Sequence, residues 1–129
     1  MNNLILPNNA IVQKVVQNKI GDIIKPLVKE IFLKNVAVED VTFGQNNINL
    51  TKVTVGQELA LKRQESLYDK YSVYVFTTDG DSLGEINEFD NQLVANLMDA
   101  GKKIKAVVKH AFVSYDSNCL QLSLYLLDF

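Results

Sequence analysis

From about residue 35 onward the apolar residues of this chain recur at every second position, a period that strands satisfy and helices do not. Val36 and Val38 alternate with polar neighbours, Asp40 interrupts, and Val41 and Phe43 resume one step out of phase, which reads as a β-bulge. The stretch Gly44-Gln45-Asn46-Asn47-Ile48-Asn49 reads as a polar, turn-rich loop. Leu59 and Leu61 then oppose Ala60 and Lys62, and Tyr71, Val73 and Val75 oppose Tyr74 and Phe76. Asp79-Gly80 closes a hairpin into a third strand that ends at Gly84. Two longer strands finish the chain. In residues 103–112, Ile104, Ala106, Val108, His110 and Phe112 share one face and Lys103, Lys105 and Lys109 the other. In residues 119–127, Leu120, Leu122, Leu124 and Leu126 share a face, with Asp116-Ser117-Asn118 as the connecting turn.

Two segments carry the helical period instead. Residues 9–32 place Ile11, Val12, Val15, Val16, Ile20, Ile23, Ile24, Leu27, Val28 and Ile31 at steps of three and four, broken at Gly21-Asp22. That stripe packs on the domain's own core, on a protein partner, or on a second copy as a homodimer; its polar face is too weakly basic for a membrane surface. Residues 91–100 form the other helix, with Asp90 as N-cap, Phe89 stapled against Val94, and Gly101 at the C-terminal left-handed position. Helix, strands, helix, two strands is the order of a small, curled antiparallel barrel, not of a doubly wound sheet.

Composition narrows the function. Of 129 residues, 47% are apolar and 22% charged, an ordinary globular balance, and the net charge of −2 argues against a broad electrostatic grip on nucleic acid. Arg63 is the one arginine among thirteen basic residues, so bidentate phosphate forks are scarce. Cys119 is alone, which rules out a disulfide framework and fits a reducing compartment. No signal-like start and no long apolar run is seen, so the expected location is the cytoplasm. His110 and Cys119 form no nucleophile–base pair in sequence, the glycines are scattered, and Asp79 and Asp81 flank a turn without the spacing of a calcium loop. No catalytic residue, metal or cofactor is expected.

The corner Ser66-Leu67-Tyr68-Asp69 between two strands is the richest local feature. A large amphipathic ring beside a carboxylate offers a stacking surface and a hydrogen-bond acceptor to a flat ligand. The competing reading is structural: Tyr68 lies over the barrel rim and Asp69 caps its own turn.

The order of these pieces resembles the HIRAN domain, known at the N-terminus of some helicase-like chromatin ATPases and as a free-standing bacterial protein. The correspondents are Gly56, Leu59, Leu61, Arg63, Glu65, Ser66-Leu67-Tyr68-Asp69, Tyr71 to Val75, Gly80, Leu83, Gly84, Ile86, Leu97-Met98-Asp99-Ala100-Gly101, and Leu122 to Leu126. The resemblance covers about residues 35–127 and implies a mainly β (α+β) fold, an OB/SH3-like barrel with an inserted helix as the domain over residues 35–129; residues 1–34 lie outside it and read from their own pattern as an N-terminal helical extension. It further implies a non-enzymatic module that captures the 3′ end of single-stranded DNA. Tyr68 would stack on a base and Asp69 accept a hydrogen bond from the terminal hydroxyl. Phe43 and His110 would be secondary ring contacts, and Arg63 and Lys109 would hold phosphates. Where DNA-binding members carry basic and aromatic residues, this chain has Glu39, Asp40, Glu85 and Glu88. Those acids define the alternative, a protein-interaction domain of the same fold.

Overall fold

Alternating side chains on six strands can bury one face by curling the sheet on itself, and closure also removes the unpaired edges. The computed structural model describes residues 28–114 and 117–128 of this chain and shows that closure. In chain order the elements are β1 (Lys29–Glu39), α1 (Asn46–Leu50), β2 (Glu58–Arg63), β3 (Val73–Thr77), β4 (Ser82–Ile86), α2 (Asn91–Asp99), β5 (Lys103–Val113) and β6 (Asn118–Asp128). The strands close in the order β1-β4-β3-β2-β5-β6, and Glu30–Leu127 makes up one compact unit. The architecture is the small, mainly β antiparallel barrel that the alternation predicts.

Every strand contributes to one interior. Val36 and Val38, Leu59, Val73 and Val75, Leu83 and Ile86, Ala106 and Val108, and Leu120, Leu122 and Leu124 are buried together. Leu50 from α1 joins this core, with α1 packed on β4 and β5. Val94 and Ala95 join it from α2, which packs on β5, β2 and β3. The Asp79-Gly80 hairpin forms as expected: the Gly80 N–H donates to Thr77 O at 2.9 Å with Gly80 at φ +97°. At the end of α2, Gly101 adopts φ +83° and its N–H donates to Met98 O at 2.9 Å, the left-handed C-cap read from sequence.

Several expectations are corrected. The bulge expected at Asp40 is instead the end of β1: Asp40 takes a left-handed φ of +64°, and the chain turns there. The Gly44–Asn49 loop contains α1; Asn46, Asn47 and Asn49 disfavour a helix locally, but burying Leu50 and bonding the Asn49 amide to Ser82 O (2.7 Å) outweighs that. The helical stripe assigned to residues 9–32 falls largely outside the described residues, as does the extension over residues 1–34. Its last part is strand, since β1 already begins at Lys29. The i+4 period of Leu27, Val28 and Ile31 extends into a segment that pairs in the sheet.

The bulge that does exist lies in β5. Val108 pairs with Leu122, but His110 pairs with Gln121, so Lys109 is the extra residue. The alternation slips by one there, and His110 and Phe112 turn outward, away from the face of Ala106 and Val108. Both are exposed, and their rings stack at 6.4 Å and 13°.

Barrel closure between β1 and β4 depends on Gly84. It holds φ +140°, and a Cβ there would overlap Glu39 O and sit 2.9 Å from Val38 Cγ1. Gly84→Ala is expected to cost about 2–5 kcal/mol in urea unfolding, from backbone strain plus overpacking; a loss below about 0.5 kcal/mol would contradict the close approach.

Candidate nucleic-acid interface

The corner between β2 and β3 is held from below and leaves its two central side chains free. Arg63 ends β2, where its guanidinium is largely buried. Nη1 donates to Ser72 O at 3.1 Å and Nη2 donates to Lys70 O. Nε and Nη2 also face the Asp99 carboxylate at 3.1 and 3.2 Å. Within the corner, the Ser66 and Ser72 hydroxyls both reach Asp69 O at 3.1 Å, and the Asp69 N–H donates to Ser66 Oγ at 3.0 Å. Leu67 and Tyr68 at the tip are 91% and 94% exposed.

Asp69 caps its own turn, as the structural reading of the corner expected. Its Oδ1 accepts from the Tyr71 N–H at 2.8 Å. Its Oδ2 accepts from the Asn91 amide at 2.7 Å, tying the corner to the first residue of α2. This does not exhaust the group, since a carboxylate offers about four lone-pair sites. The two contacts fix its orientation and leave acceptor capacity on the carboxylate.

The neighbouring outer surface is acidic. Glu39 on β1 pairs with Glu85 on β4, Glu85 with Tyr74 on β3, and Tyr74 with Lys62 on β2, giving one outward row. Burial, the Glu88, Asp40 and Asp69 charges together raise the Glu39 carboxyl above its ordinary range. Burial, a hydrogen bond to Asp40, and the Asp40 and Asp69 charges raise Glu85. Asp40, Phe43, Asn46, Tyr74, Gly84 and Glu85 line an open hollow of about 220 Å³ beside this row.

The candidate residues do not form one patch. Tyr68 and Asp69 stand together, with Lys70 next to them and its ammonium 5.2 Å over the Tyr71 ring. Phe43, 76% exposed, belongs to the hollow with Tyr74 and Glu85, which shares the acidic row near Asp69. Arg63 is occupied inside the protein, as described. Lys109 and His110 lie past the start of β2, because Glu58 pairs with Val107. The corner lies past the end of β2, so about 20 Å of strand separates the two groups. Among the described residues, no group of three or more His, Cys, Asp or Glu could hold a metal ion, and no helix is long and apolar enough to cross a membrane.

Sequence reasoning missed Phe89 as a surface feature. The expected staple against Val94 is not made: Phe89 is 88% exposed, while Val94 is buried. The Asp90 side chain makes no capping bond to α2. It accepts from the Asn87 amide at 2.8 Å and pairs with Lys34 on β1. Burial raises the Asp90 carboxyl, but the Lys34 and Asn87 contacts outweigh it and leave the group below the usual carboxylate range.

The fold defined by this geometry is a closed six-stranded antiparallel barrel with a rigid, exposed corner. No protein-family model and no curated protein sequence matches the chain. Among solved structures it is similar to a protein from Lactobacillus plantarum, with 27% identity and a TM-score of 0.71 over 79% of this chain and 99% of that one. It is also similar to the crystal structure of the HIRAN domain of human HLTF, with 19% identity and a TM-score of 0.61 over 78% of each chain. The NMR structure of the same domain gives 19% identity and a TM-score of 0.55 over 76% of this chain and 78% of that one. The fold is therefore shared with the HIRAN domain of HLTF.

The acidic row has a stability signature. Glu85 keeps its proton to higher pH when folded than its ordinary value of 4.5 would allow. The native state then binds more protons than the unfolded chain across that window, so stability falls as pH rises through it. Glu85→Gln is expected to raise the thermal midpoint near about pH 7 and leave it nearly unchanged near about pH 4. A midpoint below that of the parent protein near neutral pH would show that the Glu85 charge is stabilising.

Proposed function

We propose that this protein is a non-enzymatic module related to HIRAN domains that binds the 3′-hydroxyl end of a single DNA strand at the Tyr68–Asp69 corner. One observation carries this reading: a fully exposed tyrosine ring stands on a corner locked by Arg63, beside a carboxylate oriented from both sides. Ordering of the site costs little on binding, because the backbone and the acid are already fixed. A base gains about 1–3 kcal/mol by stacking on an aromatic ring, without reading sequence. A carboxylate at Asp69 accepts from a hydroxyl and repels a phosphate in its place. The fold shared with the HIRAN domain of HLTF supports the same reading.

The charge distribution restricts the ligand. Glu39, Glu85 and Asp40 oppose any strand laid across β1 and β4, and with Arg63 occupied inside the corner, Lys70 is an exposed cation next to it. The ligand is then a strand end held mainly by stacking, with a shallow dependence on salt. The same acids favour a second reading, a protein-interaction domain of this fold that takes a basic partner segment and no DNA.

Fluorescence anisotropy with short 5′-labelled oligonucleotides separates the two. The DNA reading expects tighter binding to a 3′-hydroxyl end than to its 3′-phosphate twin. Tyr68→Ala should weaken binding by about 5- to 100-fold. Asp69→Asn, which keeps an acceptor for the Tyr71 N–H, should remove the preference for the hydroxyl. Equal and feeble binding of both ends by the parent protein would refute the DNA reading and favour the interaction domain.

A further inference from the structure

The turn between β4 and α2 mounts a second exposed ring as firmly as the corner mounts the first. The Phe89 N–H donates to Asn87 Oδ1 at 3.0 Å. The Asn87 backbone N–H and side-chain amide both donate to Ala37 O on β1, at 3.1 and 2.9 Å. Asp90 closes the turn by its N–H to Asn87 O at 3.1 Å and by its ion pair with Lys34. Phe89 is thus held by its backbone while its ring meets solvent, 88% exposed.

The turn and the corner are joined directly. The Asn91 amide donates to Asp69 Oδ2 at 2.7 Å. Tyr68 precedes one end of that bond by one residue, and Phe89 precedes the other by two. Two exposed aromatic residues therefore stand on the two segments that this bond joins. We propose that Phe89 is a second base-stacking platform beside Tyr68, so that the site takes the last two nucleotides of a strand. The inference rests on the function proposed above.

The chemistry favours nucleobases at this position. Phenylalanine has no polar atom, so a Phe ring contributes only an apolar π face, which every base can match. Glu88 in the same turn lies close enough to Glu39 to raise its carboxyl, so the turn provides no electrostatic grip on phosphate. Lys70 on the corner and Lys34 beneath the turn are the cations of this rim.

The test uses the full chain with unlabelled dTMP, the dinucleotide and a ten-nucleotide oligodeoxythymidylate, all with free 3′-hydroxyls, competing against a labelled strand. The parent protein should gain affinity from one nucleotide to two and little beyond. Phe89→Ala should bind dTMP as the parent does, lose that gain by about 5- to 100-fold, and melt at the parent's temperature. Phe89→Trp should restore the gain. If Phe89→Ala keeps the gain while Tyr68→Ala loses binding, the second platform is refuted and the end-binding reading stands. If the parent binds none of the three, both fall together.

Discussion

The close approach of β1 to β4 at Gly84 sets the terms for the rest of the molecule. With no Cβ in the way, the Glu39 backbone lies directly against β4, and the sheet closes around its apolar interior. The same contact puts Glu39 opposite Glu85 and so creates the acidic row. Strand closure and surface charge are therefore one fact here: the barrel cannot close at this seam without bringing two carboxylates together. Burial and repulsion from neighbouring acids, Glu88, Asp40 and Asp69 for Glu39 and Asp40 and Asp69 for Glu85, raise both carboxyl pKa values, the expected response of acids forced into a partly desolvated neighbourhood.

Much of this architecture was legible because the sequence declares it locally. Alternation over Leu59–Leu61, Val73–Val75 and Leu120–Leu124 marks strands whose inward residues are all in the core or packed against it. Asp79-Gly80 and Gly101 are positions where backbone geometry demands a particular residue, and both behave as read. What escaped was decided by distant contacts. Nothing in Asn46–Leu50 announces a helix until Leu50 finds the core and the Asn49 side chain finds Ser82. The slip at Lys109 is invisible to a pattern that assumes unbroken alternation, and it sends His110 and Phe112 to the opposite face.

The site was legible in part. Tyr68 and Asp69 stand out as residue types, and they do sit side by side on the corner. Whether Asp69 would face a ligand or its own turn could not be read, because both uses require the same residue at the same place; the structure shows the turn contact. Arg63 invited a phosphate because it is the lone arginine, yet here its guanidinium donates to the Lys70 and Ser72 carbonyls and pairs with Asp99. Phe89 was assigned to packing by its spacing from Val94. The bonds of Asn87 to Ala37 fix the turn differently and leave the ring outside.

Helix α2 is fastened at both ends to the same stretch of chain. Asn91 at its start holds Asp69, and Asp99 at its finish holds Arg63. The nine-residue helix thus works as a strut bracing the corner, and a load on one is shared by the other. Anything that grips Tyr68 would steady α2 along its whole length, so occupancy of the corner should be audible as slower amide exchange in a helix that need not touch the guest.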